Sequence, residues 1–146
     1  MTATEEQGER EVRDLIECQA AAIRGKDIDG ATAGIGADVV IFDALPPLQR
    51  NGFADSRART VEWFGSYDGP IGYEIRDLAI TVGADVAFAR YLYHVTGTLT
   101  GGNQVDMSVR MTICLERVEG EWTITHEHTS VPFDAESGKA ALTLTP

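Results

Sequence analysis

The sequence predicts an α+β fold in which helices come first and a long antiparallel sheet follows. Two patterns predict it. Val12, Leu15, Ile16, Gln19, Ala22 and Ile23 recur at the 3.6-residue period of one helix face. From residue 72 onward, four segments rich in β-branched and aromatic residues are separated by short turn signals. Strands of ten or more residues exceed the usual ~5–6, so the sheet is expected to coil strongly. Wrapped over the first helix, it would leave a conical cavity at its open end.

Taken in order, Thr4-Glu5-Glu6-Gln7 has the form of a capping box, and helix one is expected over roughly residues 5 to 24. Gln19 is polar in the middle of the apolar stripe. It is either a helix-edge amide wetted by solvent or a donor pointing into the cavity. Gly25 stops the helix, and Asp27 can cap a short second one through about Ala33. Asp38 to Asp43 reads as a short strand, broken by Pro46-Pro47, with a turn at Arg50-Asn51-Gly52. Phe53 to Tyr67 returns to helical spacing, with Trp63 and Phe64 on an aromatic inner face, and Asp68-Gly69-Pro70 ends it. The strands are expected at 72–82, 86–99, 105–117 and 121–131, an antiparallel meander. Residues 134–146 have little periodicity and read as a surface extension or a lid.

A chain of 146 residues with 43% apolar content suits one domain over 1–146. Its 12 Lys and Arg against 23 Asp and Glu give a net charge of −11, which disfavours nucleic acid and anionic membrane surfaces as partners. No run approaches the ~18 apolar residues of a membrane span. The first residues lack a basic-then-apolar leader pattern, so a cytoplasmic location is expected. Cys18 and Cys114 have no metal-ligand spacing and are expected to be buried, reduced thiols.

The last alternation, Trp122-Thr-Ile-Thr-His126-Glu127-His128-Thr-Ser-Val-Pro-Phe133, holds two of the three histidines. Strict alternation puts His126 and His128 on the face of Trp122 and Ile124, and Glu127 on the other. With His94 these rings could form a three-histidine zinc site. They could instead hydrogen-bond within the sheet, or one could act as acid or base at the cavity mouth. No metal and no cofactor is expected.

The succession of helix, short helix, Asp-Val-Val-Ile-Phe-Asp strand, Arg-Asn-Gly turn, aromatic helix and a meander ending in His-Glu-His-Thr-Ser-Val-Pro-Phe resembles the SnoaL-like, ketosteroid-isomerase-like branch of the nuclear transport factor 2-like superfamily. The resemblance covers nearly the whole chain and implies the cystatin-like cone of that superfamily. Asp43, followed nine positions later by Gly52, is similar to the ketosteroid isomerase segment that holds the general-base aspartate. In that enzyme the base faces an oxyanion hole of a tyrosine and a protonated aspartate. In this chain the corresponding positions fall near Gln19 and Thr112. In the related association domain of calcium/calmodulin-dependent kinase, pocket arginines align near Tyr93, Ile113 and Thr129. That alignment implies Tyr91, Tyr93, Glu127 and Thr129 inside, and His126 and His128 on a convex face used for subunit contact. A single β-bulge converts one parity into the other, so both stay open.

Two functions are therefore expected as alternatives. The first is a cofactor-independent isomerase, cyclase or lyase acting on a small apolar carbonyl compound. Asp43 would be its base, with a pKa raised by apolar walls from Phe42, Leu45, Trp63 and Phe64, and His128 a second acid–base group. Arg110 and Thr112 on one strand face would hold an oxyanion or a ligand carboxylate, with Gln19, Trp63, Phe64, Tyr91, Tyr93, His94, His126 and Glu127 as further lining. Alternatively, Arg110 forms an ion pair with Glu127 or Glu74 or is plainly exposed, and Asp43 caps the Pro-Pro turn. The second function is a non-catalytic small-molecule-binding or association domain. Strands with large residues on both sides, such as Phe88-Ala-Arg-Tyr-Leu-Tyr, predict a homodimer through the convex sheet face.

Overall fold

A computed structural model describes residues 1–146. Helix α1 (Ala3–Arg24) is capped two residues earlier than expected. The Thr2 hydroxyl accepts from Glu5 N at 3.1 Å, and the Glu5 carboxylate accepts from Thr2 N at 2.6 Å, closing a capping box two residues before Thr4. The face predicted to be apolar is buried through Val12, Ile16, Ala20 and Ile23. Gly8 lies on the same face, where a Cβ would meet Val82 Cγ1 at 2.7 Å, so glycine allows the helix to lie close on the sheet. Helix α2 (Ile28–Thr32) starts at Asp27, whose carboxylate accepts from Gly30 N at 3.1 Å.

Strand β1 (Ile35–Phe42) begins three residues before the expected Asp38 and leads through the Pro-Pro loop to the two-residue β2 (Arg50–Asn51). Helix α3 (Phe53–Gly65) follows, then β3 (Gly72–Val82), β4 (Val86–Thr98), β5 (Gln104–Val118) and β6 (Glu121–Ser130). The meander β3 to β6 is antiparallel, as expected. Beyond it, β1 inserts parallel to β6, giving one six-stranded sheet in the order β2-β1-β6-β5-β4-β3. A parallel neighbour is possible here because α3 and strands β3 to β5, which lie between β1 and β6 in the chain, provide the long crossover that a parallel pair needs.

Irregularities in the ladders mark where the sheet bends. On β3 one extra residue intervenes between the Arg76–Leu92 and Ala79–Arg90 pairs, with Asp77 in a left-handed conformation (φ 56°). On β6, Leu115 pairs with Ile124 while Cys114 pairs with His126, so Thr125 is an inserted residue. This bulge decides the parity left open by the sequence. Trp122 and Ile124 are buried, and beyond the insertion the buried positions are Glu127 and Thr129. His126 and His128 therefore leave the face of Trp122 and Ile124, contrary to strict alternation, and take the convex side implied by the association-domain alignment.

The concave side packs α1 and α3 against Ile41, Tyr91, Tyr93, Val95, Met111, Ile113, Leu115 and Ile124 in one apolar cluster. The convex side carries Phe88, 50% exposed, with Phe42 at 39%. Cys114 is half-buried there, and Cys18 is exposed on α1, not buried as expected, because position 18 falls off the apolar stripe.

Candidate functional site

Helix α3 supplies the charge around which the site is built. Ser56, Arg59, Thr60, Trp63 and Phe64 follow one another at helical spacing, so they form one inward face. Ser56, Thr60 and Phe64 are buried. Arg59 lies among them with its side chain 20% exposed, over the Trp63 ring at 5.7 Å. Its Nε donates to Asp43 Oδ2, and no protein acceptor takes its Nη1 or Nη2.

Asp43 stands just past the end of β1 with its side chain 6% exposed. Besides Arg59, it accepts from the Thr129 hydroxyl at 3.2 Å and from Leu45 N at 3.4 Å. Thr129 in turn accepts from Ala44 N at 3.0 Å, which ties the loop to β6. Burial alone would raise the Asp43 carboxyl, but the Arg59 hydrogen bond and charge, with the Leu45 and Thr129 donors, hold it below the ordinary 3.8. The expected elevation is thus reversed. The cause is the guanidinium one helix away; of the expected apolar walls, Phe42 turns to the convex side, while Leu45 and Trp63 do line the cavity.

Glu127, on β6 beyond the bulge, is 5% exposed. Burial raises its carboxyl above the ordinary 4.5; Arg59 lowers it, Asp43 raises it, and His126 and the Gln19 amide lower it by smaller amounts. Gln19 also donates Nε2 to Ala31 O at 3.1 Å, which fixes it inside the cone. Tyr73 stacks on Tyr93 at 4.7 Å, with Tyr91 beside it. Burial pushes all three phenols above their ordinary 10, so they stay protonated.

These side chains line two adjoining spaces. An outer vestibule of about 420 Å³ is lined by Asp43, Leu45, Arg59, Trp63, Val95, Met107 and Val131, with Ala140 and Leu142 of the C-terminal segment at its edge. An inner chamber of about 30 Å³ is lined by Gln19, Thr32, Ser56, Thr60, Tyr73 and Glu127. Arg59, Trp63 and Tyr93 border both. A mostly apolar hollow with a few convergent polar groups is the usual form of a small-molecule site.

Of the residues singled out from the sequence, Asp43, Gln19, Trp63, Tyr93 and Glu127 converge on this hollow. Tyr91 packs just behind it, and Phe64 belongs to the core. Arg110, Thr112, His94, His126 and His128 do not enter it. On β5 the inward positions are Val109, Met111, Ile113 and Leu115, so Arg110 and Thr112 point outward. Arg110 Nε donates to Ser130 Oγ at 3.0 Å; neither Glu127 nor Glu74 pairs with it. His128 packs against Phe42 on the convex side, His126 Nδ1 lies 2.6 Å from Val40 O, and His94 Nε2 lies 2.6 Å from Asp106 Oδ1. No group of three or more His, Cys, Asp or Glu side chains is placed to hold a metal ion. The sequence reading missed Arg59, Ser56, Thr60 and Tyr73. The signal was present for Arg59, which interrupts the inward stripe of α3 just as Gln19 interrupts that of α1.

The model of the SnoaL-like domain matches residues 12–134. The chain belongs to the SnoaL-like family of the NTF2-like superfamily. An NTF2-like protein of unknown function from Pseudomonas putida KT2440 is 33% identical to this SnoaL-like protein, over 97% of this chain and 98% of that one, with a TM-score of 0.89. A candidate scytalone dehydratase from Novosphingobium aromaticivorans shares the fold over the full length of both chains at 11% identity and a TM-score of 0.80. A candidate dehydratase of the NTF2-like family from Streptomyces avermitilis is 14% identical, over 86% of this chain and 97% of that one, with a TM-score of 0.75. No curated protein matches the chain.

Proposed function

We propose that this SnoaL-like protein is a cofactor-independent enzyme that moves a proton at the carbon beside a carbonyl group of a small apolar compound, an isomerase- or lyase-type reaction carried out in the vestibule. The observation that carries this reading is the divergence of two carboxyls beside one guanidinium, Asp43 held below its ordinary pKa and Glu127 lifted above it. Where environments split two carboxyls in this way, the depressed one is available as base and the raised one as acid. The ligand's carbonyl oxygen would accept from the Arg59 Nη groups, which have no protein acceptor, and the charge developing on that oxygen is stabilised by a donor already in place. Drawing Arg59 toward the ligand weakens its hold on Asp43, and the buried carboxylate becomes a stronger base. Asp43 then takes the α-proton, leaving an enolate on Arg59, and Glu127 supplies the proton that completes the transfer. The two candidate dehydratases of the same fold are in keeping with the lyase form of this chemistry.

The test is deuterium wash-in at the α-carbon of a panel of cyclic and aryl ketones in D₂O, followed by proton NMR. Exchange should be accelerated by the wild-type protein and fall by about 10²-fold or more in Asp43→Asn, the usual worth of a positioned general base. No acceleration across the panel, or full activity in Asp43→Asn, would contradict the reading. The protein is further proposed to act as a homodimer joined through the convex sheet face.

A further inference from the structure

The inner chamber carries more hydrogen-bonding capacity than the protein itself uses. Thr32 donates to Ile28 O at 2.8 Å and Thr60 to Ser56 O at 3.0 Å, and each hydroxyl oxygen retains its lone pairs. Gln19 donates to Ala31 O and keeps its carbonyl oxygen. The Ser56 hydroxyl, 3% exposed as a residue, and the Glu127 carboxyl open on the same space. Buried polar groups in folded proteins find partners, and where protein does not provide them ordered water does. A polar cavity needs roughly 10–15 Å³ per water molecule. The chamber's volume of about 30 Å³ accordingly suits about two.

Its position gives such water a task. Glu127 borders only the inner chamber and Asp43 only the vestibule, while Arg59, Trp63 and Tyr93 stand between. A proton held by Glu127 has no direct path to a ligand in the vestibule. We propose that the inner chamber is a built water site, in which one or two water molecules held by Glu127, Gln19, Ser56, Thr32 and Thr60 relay the Glu127 proton past Arg59 to the ligand. Each water accepts one proton and releases another, so none is consumed; the ligand gives one proton to Asp43 and receives one from Glu127, and release of the Asp43 proton to solvent with uptake of one by Glu127 restores the starting state. The relay rests on the acid–base reading above; the water site itself does not.

The experiment is a crystal structure of the full chain to about 1.3 Å, in the wild type and in Ser56→Val, paired with the α-proton exchange assay. Thr60→Val, which keeps the shape and removes only a hydroxyl, takes its place if Ser56→Val does not fold. The wild type should show one or two ordered waters within hydrogen-bond distance of the Glu127 carboxyl. The variant should lose at least one of them, and its exchange rate should fall about tenfold while Asp43 and Arg59 stay in position. Absence of water from the wild-type chamber would overturn the proposal, as would a variant that loses the water and keeps the full exchange rate. Glu127→Gln with unchanged exchange and ordered chamber water would instead refute the acid role of Glu127 and with it the relay, leaving the water site standing.

Discussion

Arg59 meets two carboxyls at different ranges, and their opposite pKa directions follow from that difference. Burial penalises the charged form of both. Asp43 receives a direct charge-assisted hydrogen bond that outweighs the penalty, whereas Glu127 feels the same guanidinium only as a neighbouring charge and remains raised. The consequence for stability can be given a sign. Between the ordinary 4.5 and its raised native value, Glu127 holds a proton in the folded state that the unfolded chain has lost, so stability falls as pH rises through that window, and the penalty is complete above it. Asp43 acts the other way: its contribution is present above the ordinary 3.8 and is lost as pH falls through its depressed native value. Glu127→Gln removes the first effect. Its melting temperature relative to wild type should therefore be higher at pH 8 than at pH 4, by differential scanning calorimetry; a difference that does not change with pH would contradict the raised pKa. At this scale the sequence was legible where a polar residue broke an apolar stripe, as at Gln19, or sat at a strand end, as at Asp43. It misled at Arg110, because a cation within a strand pattern looks alike on either face, and the guanidinium that enters the hollow comes from α3.

At the scale of elements, one inserted residue determines which side chains face the site. Were the ladder regular through Thr125, the alternation from Trp122 and Ile124 would carry His126 and His128 inward and Glu127 out. Deletion of Thr125 removes the extra residue and makes the Leu115–Ile124 and Cys114–His126 pairs consecutive. Glu127 should therefore stay on the concave side, and the variant should keep cooperative thermal unfolding. A deletion variant that loses cooperative unfolding or exposes Glu127 would show that the bulge does not set the parity. The helices and the four-stranded meander were readable from period and turn chemistry, and the helix cap was misplaced by only two residues. The bulge was not readable, since no glycine marks it and both parities bury β-branched residues. The parallel pairing of β1 with β6 was also hidden, because it joins segments that are distant in sequence.

On the whole molecule, a surface of net charge −11 includes a convex sheet face on which Phe88 and Phe42 are exposed together with Arg90 and Arg110. A sheet face that exposes aromatic rings and cations on an otherwise anionic protein is suited to self-association through that face. The proposed dimer should appear in light scattering at twice the 15.8 kDa chain mass, and Phe88→Asp should shift it to monomer without loss of folding. A wild-type monomer at all concentrations would remove that part of the account. The concave side, by contrast, is closed by the chain itself, where Phe133 bridges Ala140 and the segment lays Ala140 and Leu142 at the edge of the vestibule.

All of this depends on two carboxyls beside one guanidinium whose pKa values are displaced in opposite directions. The direct measurement is a side-chain carboxyl titration by carbon-detected NMR on uniformly ¹³C-labelled protein, with Asp43→Asn and Glu127→Gln to assign the signals. The account predicts that Glu127 titrates above 4.5 and Asp43 below 3.8. If Glu127 titrates at or below its ordinary value, or Asp43 above its own, the acid and base of the proposed reaction are not where this structure puts them.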